Sequence, residues 1–263
     1  MMKVNFLKRL ESSIESFEIS MDRTIQKIEK LENKIREFLK SNAKSQDESL
    51  ETLEPDEDEL EENTDDLQQW QVGRKLKFDL ADLQLEDWLN DLKTDKDALY
   101  DLYLRAKDID PSRDTKLKGI KKLIEEKVRQ PLNNGNKKIL VFTAFADTAQ
   151  YLYDCLVDWV KKDFMLNIAL VTGSSTQTTF GKNDFSNILA NFSPISKCRK
   201  LIKSMPQEGE IDILIATDCI SEGQNLQDCD FLVNYAFTGI LFASFSVLAV
   251  LTGWEVKTTK SNW

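Results

Sequence analysis

The stretch Ile211–Tyr235 limits the possible folds of this chain more than any other. It reads I-D-I-L-I-A-T-D-C-I-S-E-G-Q-N-L-Q-D-C-D-F-L-V-N-Y. Ile211, Ile213, Leu214, Ile215 and Ala216 form a short branched apolar run, the pattern of a strand buried on both faces. Thr217-Asp218 stops it, and a second apolar run follows at Phe231–Val233. A buried strand that delivers Thr, Ser, Glu and Gly at its carboxyl end places polar groups where open α/β sheets bind ligands.

The residues upstream repeat this arrangement. Asp114–Gln130 puts Leu117, Ile120, Leu123, Ile124 and Val128 on one helical face, and Pro131 with Asn133-Asn134-Gly135 ends it. A buried strand is expected at Ile139–Phe142, a helix at Thr148–Val160, and another strand at Asn167–Val171 ending in Thr172-Gly173. Strands alternating with helices predict an α/β fold with a parallel sheet and right-handed crossovers.

The first 110 residues read differently. Leu7, Leu10, Ile14, Phe17, Met21, Ile25, Ile28, Leu31, Ile35 and Phe38 recur at spacings of three and four, predicting a long amphipathic helix over 1–41. Such a helix packs on a neighbouring domain or partner; a self-contained coiled coil is the other reading of the same pattern. Asp47–Asp66 holds 12 acidic residues and no basic one, so 42–66 is expected to be a disordered acidic linker. Apolar periodicity returns at Leu83, Leu85, Trp88, Leu89, Leu92, Leu99 and Leu102, giving a helical segment over 67–110.

That acidic run accounts for more than the whole net charge of −10, so the remainder is close to neutral. Charge therefore neither supports nor excludes a nucleic-acid-binding face. Cys155, Cys198, Cys219 and Cys229 form no C-x-x-C pair, and the chain has no histidine. A metal site is not expected, and the thiols are expected to be reduced and mostly buried. The charged start M-M-K-V-N-F-L-K-R-L-E is not a signal peptide, and the composition suits a cytoplasmic protein with no membrane attachment.

The motif A-T-D-x-x-x-E-G-x-N-L-Q followed by V-N-Y resembles motif V of superfamily 2 helicases, in the Snf-type branch of DNA translocases. The strand sequences I-L-V-F-T-A-F, I-A-L-V-T-G-S, I-D-I-L-I-A-T-D and F-L-V-N-Y follow the order of that family's second motor lobe over about 111–236. Arg9–Phe17 (R-L-E-S-S-I-E-S-F) resembles a segment found between the two lobes, which implies a chain that begins inside a larger protein. Ser174–Asn191 departs from the family, being rich in Thr, Ser and Asn where a compact turn is common.

The resemblance implies a RecA-like parallel sheet flanked by helices, preceded by a long amphipathic helix and a helical segment. It implies ATP and Mg2+ between two lobes, with nucleic acid (DNA in this branch) across their tops. Carried over by position, Thr143 resembles a backbone contact to nucleic acid, and Thr172 and Gly173 a phosphate-contacting turn. Thr217 and Ser221 resemble phosphate contacts, and Glu222 with Gly223 the pair that approaches the nucleotide. Hydroxyls and exposed N–H groups at strand ends grip phosphate without reading sequence, and Gly lets backbone approach closely.

Three parts of the motor do not occur in the chain: the G-x-x-x-x-G-K-[ST] loop, the acidic D-E-x-x box, and Q-x-x-G-R-x-x-R after Asn234-Tyr235. No catalytic residue is therefore assigned, and neither ATP nor Mg2+ is expected to bind this chain tightly by itself. Gly239–Trp254 is instead apolar without a clear period. Taken at face value it reads as a buried terminal helix, with an interfacial segment as the weaker alternative.

Reading codons permitted for Ala236–Asn262 with one base added inside the first gives D-I-H-W-N-P-V-R-I-I-Q-R-F-G-R-I-D-R, the missing motif in its expected place. The expectation for 237–263 is thus out-of-frame translation of a truncated second lobe, inactive alone. The alternative is a non-catalytic RecA-like binding module that docks a separately encoded first lobe.

Overall fold

The computed structural model describes residues 2–42, 71–72, 78–133, 135–220, 224–236, 239–244 and 257–260. The chain divides into two compact units: Met1–Phe17 with Ala106–Trp263, and Glu18–Arg105.

The expected long helix is two helices, α1 (Met2–Ser12) and α2 (Ile14–Asn42). The break at Ser13 has a local cause. Its Oγ accepts the Ser16 N–H at 3.0 Å, the bond an N-cap side chain makes to the third residue of a new helix.

The smaller unit holds most of α2, a pair of short strands and most of helix α3 (Leu85–Lys107). Strands β1 (Gln71–Val72) and β2 (Phe78–Asp79) pair antiparallel where only helix was expected. Two residues per strand are too few for alternation to register in the sequence. Ile35 and Phe38 pack with Leu80 and Leu85, and Leu31, Leu83, Trp88, Leu89 and Leu92 close around them. Lys96 Nζ meets Glu32 Oε2 at 2.7 Å on the same unit.

The larger unit is the α/β body. Helix α4 (Thr115–Arg129) starts at Asp114, whose Oδ1 accepts the Leu117 N–H at 2.9 Å. It leads to β3 (Ile139–Thr143), α5 (Ala146–Phe164), β4 (Ile168–Val171), β5 (Thr176–Thr178), α6 (Phe185–Phe192), β6 (Ile213–Ala216) and β7 (Phe231–Ala236). The sheet has seven strands in the order β5-β4-β6-β3-β7-β8-β9, with β8 at Gly239–Ser244 and β9 at Lys257–Lys260. Strands β4, β6, β3 and β7 are mutually parallel; β5, β8 and β9 join antiparallel at the two margins.

Alternate residues of the central strands feed two separate cores. Ile139, Val141, Ile168, Leu170, Ile213 and Ile215 face α4 and α5, where they meet Ile120, Ile124, Leu152 and Leu156. Leu140, Ala169, Val171, Leu214 and Ala216 face α6 and meet Ile188, Leu189 and Phe192. Burial on both faces is why these strands read as unbroken apolar runs. Each fully buried Leu or Ile contributes about 1.5–3 kcal/mol of transfer free energy.

The segment read as a buried terminal helix is, over Gly239–Ser244, strand β8, paired with β7 from Phe231↔Ser244 to Ala236↔Gly239. An edge strand leaves a row of N–H and C=O groups unpaired, and the β-formers Ile240, Leu241 and Phe242 satisfy it by pairing. The thiols depart from expectation too: Cys198 and Cys219 are exposed, and only Cys155 and Cys229 are partly buried. Both exposed ones sit on short turns outside the sheet, where no apolar layer covers them.

Candidate nucleic-acid interface

The polar strand ends singled out in the sequence come together. Val171 lies opposite Ala216, and Ala216 opposite Phe142, so the next residues, Thr172, Thr217 and Thr143, line the carboxyl edge of β4, β6 and β3 side by side. The Thr217 N–H continues the ladder to Val171 O at 3.2 Å. Non-sequential strand order alone creates this row, because the three residues are far apart in the chain.

Most of the hydroxyls are already used. Thr143 is 2% exposed, and its Oγ1 donates to Phe145 O at 3.0 Å. Thr172 is 7% exposed; its Oγ1 donates to Ser175 O at 3.1 Å and accepts the Ser175 N–H at 2.9 Å. These side chains shape the turns, as Thr commonly does. What the edge presents outward is Ala144, Gly173 and Ser174, all three exposed. Gly173 is not among the described glycines with positive φ, so its use is the missing side chain. Thr217 is half-buried and points its Oγ1 at Cys219 Sγ, 3.6 Å away. Ser221, Glu222 and Gly223 lie outside the described residues.

The turn after β3 carries a second layer that sequence reasoning did not connect to it. Arg9 Nη1 reaches Asp147 Oδ2 at 2.7 Å, and its guanidinium lies 4.1 Å from the centre of the Phe145 ring. Thr148 Oγ1 lies 2.8 Å from Ser12 Oγ and 3.1 Å from Ser13 Oγ. Lys116 Nζ donates to Glu11 O at 2.9 Å and Ser12 O at 3.1 Å, and stands 4.0 Å from the centre of the Tyr235 ring. A cation on the last carbonyls of α1 complements that helix end.

The R-L-E-S-S segment is therefore bound to the end of β3 and the start of α5, and its Arg and paired Ser were the legible signal. Burial pushes the Lys116 ammonium down to about 8 against the opposing pull of Asp114 and Glu11. Burial, with Asp114 and Cys155 nearby, pushes the Tyr235 phenol up, and its hydroxyl finds no hydrogen-bond partner among the described residues.

A family model for the helicase conserved C-terminal domain matches residues 115–248, just over half of the chain. The chain belongs to that helicase family. Neither the curated proteins nor the solved structures yielded a match. The matched span starts with helix α4 and takes in every strand whose end lines the edge, so the row of Thr172, Thr217 and Thr143 belongs to a helicase C-terminal lobe. Members of such a family generally bind nucleic acid.

Other features of the helicase lobe lie away from this edge. A cleft of about 360 Å3 is lined by Glu125, Arg129, Trp159, Asp163 and Phe164, on the late turns of α4 and α5. No helix among the described residues is long and apolar enough to cross a membrane. No group of three His, Cys, Asp or Glu among the described residues could hold a metal ion.

Proposed function

We propose that this chain is the second motor lobe of an ATP-driven, Snf-type helicase or DNA translocase, and that its backbone-rich carboxyl edge holds nucleic-acid phosphates. The observation that carries the reading is the adjacency of Thr172-Gly173, Thr217 and Thr143 on neighbouring strands of a helicase C-terminal domain. Exposed N–H groups and a side-chain-free Gly suit an anion that must be gripped irrespective of sequence. Thr143, Thr172, Gly173, Thr217 and Ser221 are assigned to nucleic acid, and Glu222 with Gly223 to the nucleotide. ATP and Mg2+ supply the phosphoryl chemistry of a complete motor.

Residues 237–263 are proposed to be translated out of frame. In the shifted frame each codon takes only its first base from a wobble position, and the other two follow from the residue present. The Q-R-F-G-R-I-D-R sequence thus arises under little freedom, and the Trp254 codon, which has no alternative, itself forces the Gly that follows the motif's R-L pair. The arginines so lost would stabilise charge on the transferring phosphoryl group, an effect worth about 10³–10⁵ in rate.

Three experiments test these readings. Fluorescence anisotropy with labelled duplex DNA should show binding by the chain, weakened about 5- to 10-fold by Gly173→Val combined with Thr217→Val, as expected for crowding the close approach at Gly173 and losing the Thr217 hydroxyl contact. Binding unchanged by both substitutions would count against the edge. Nucleotide sequencing of the gene decides the frame: codons incompatible with the shifted motif would end that proposal. ATP hydrolysis stimulated by DNA, with no other subunit present, would contradict an inactive fragment.

A further inference from the structure

We infer that residues 193–207 form a second, preorganised contact for the nucleic-acid backbone, separate from the strand-end edge. The inference rests on the reading of this chain as a nucleic-acid-binding lobe. The segment S-P-I-S-K-C-R-K-L-I-K-S-M-P-Q holds four basic residues and no acidic one, in a chain whose net charge is −10. Local field, rather than net charge, sets where a polyanion lands.

The segment is a built knob, not a loose loop. Consecutive turns run through it: Cys198 N–H to Ile195 O at 3.0 Å, Leu201 N–H to Cys198 O at 3.0 Å, and Met205 N–H to Ile202 O at 3.1 Å. Asp228 clamps its start, accepting the Ile195 N–H at 2.7 Å, the Ser196 N–H at 2.9 Å and the Ser196 hydroxyl. Buried Arg199 anchors the middle to Asn191 Oδ1 at 3.0 Å and Gly209 O at 2.8 Å. The one arginine is thus structural, and Lys200 and Lys203 are left for solvent.

Lys200 and Lys203 are exposed and have no carboxylate partner among the described residues. Lys197 donates to Gln224 Oε1 at 2.8 Å, which ties the knob to the N-L-Q stretch beyond β6. Three ammonium groups on a fixed frame suit phosphate as point charges. The segment contains no aromatic residue on which a base could stack, so the contact is to the backbone and is independent of sequence. Ile195 and Leu201, each 82% exposed, also give the knob an apolar side that an anionic lipid surface could use. Vesicles are therefore one arm of the test.

The experiment measures the affinity of the whole chain for short duplex DNA against salt concentration. The parent is compared with Lys197→Gln/Lys200→Gln/Lys203→Gln and with the matching triple Lys→Arg variant. Each phosphate contact contributes about 0.9 to the slope of log K against log salt. The Gln variant should flatten that slope by about two to three, and the Arg variant should keep it. An unchanged slope in the Gln variant overturns the knob while leaving the strand-end reading intact. Loss of slope in the Gln variant, with Gly173→Val and Thr217→Val inert, keeps the knob and overturns the edge. A parent that binds no DNA even at low salt overturns both. Tighter, lysine-dependent binding to phosphatidylserine vesicles than to DNA would replace nucleic acid with a membrane surface and overturn the inference.

Discussion

Arg9→Ala is the most informative single change, because one side chain joins the R-L-E-S-S segment to the turn that ends β3. The Arg9–Asp147 bond is 2.7 Å long between side chains 25% and 11% exposed. A charge-assisted hydrogen bond contributes about 1.5–3 kcal/mol when well shielded, and partial exposure moves this pair toward the low end. Stacking of the guanidinium 4.1 Å from the Phe145 centroid adds about 0.5–1 kcal/mol. Asp147 lies in the first turn of α5, where the helix dipole keeps it partly stabilised after Arg9 is removed. Loss of about 2–3 kcal/mol in urea unfolding is therefore expected, with a coupling of about 1–2 kcal/mol in a double-mutant cycle with Asp147→Ala. Arg9→Lys should recover part of the ion pair but not the flat stacking contact. Amide exchange should rise at residues 146–149 as well as in α1. A coupling below about 0.3 kcal/mol, the usual scatter between independent sites, would refute the docking role.

Other outcomes follow from the same structure. Lys127 and Asp230 form an ion pair of 2.7 Å with side chains 1% and 7% exposed, so Lys127→Met should destabilise by about 3–5 kcal/mol. Lys127→Met/Asp230→Leu should recover much of that loss in thermal unfolding, since neither charge is then stranded. Lys116 is held at about 8 when folded, against 10.5 for the free side chain. Between those values the unfolded chain binds more protons, so stability measured relative to Lys116→Met should rise with pH across that window. A flat difference there would mean that the ammonium is not desolvated. Gly209 has φ +74°, and an added Cβ would lie 2.7 Å from the Phe180 ring, so Gly209→Ala should cost about 1–3 kcal/mol in urea unfolding.

Much of the α/β body was legible because burial on both faces writes itself into short windows. Ile139–Phe142 and Ile213–Ala216 are apolar runs of the kind an inner strand requires, and α4 showed in the single face formed by Leu117, Ile120, Ile124 and Val128. The strand pair β1–β2 and strand β8 were not legible. One is too short to show a period, and the other takes its conformation from the free edge it pairs with.

The row of Thr172, Thr217 and Thr143 was named residue by residue from the chain, yet its adjacency exists only because β6 inserts between β4 and β3. Tertiary structure also decided what those hydroxyls do, turning two of them inward onto their own turns. Arg9 and Asp147 stand 138 positions apart, and nothing local to either marks the other. Apolar periodicity is a property of neighbouring residues and survives in one dimension. Pairing of polar groups depends on which surfaces the packed core brings together, and that is settled only when the chain has folded.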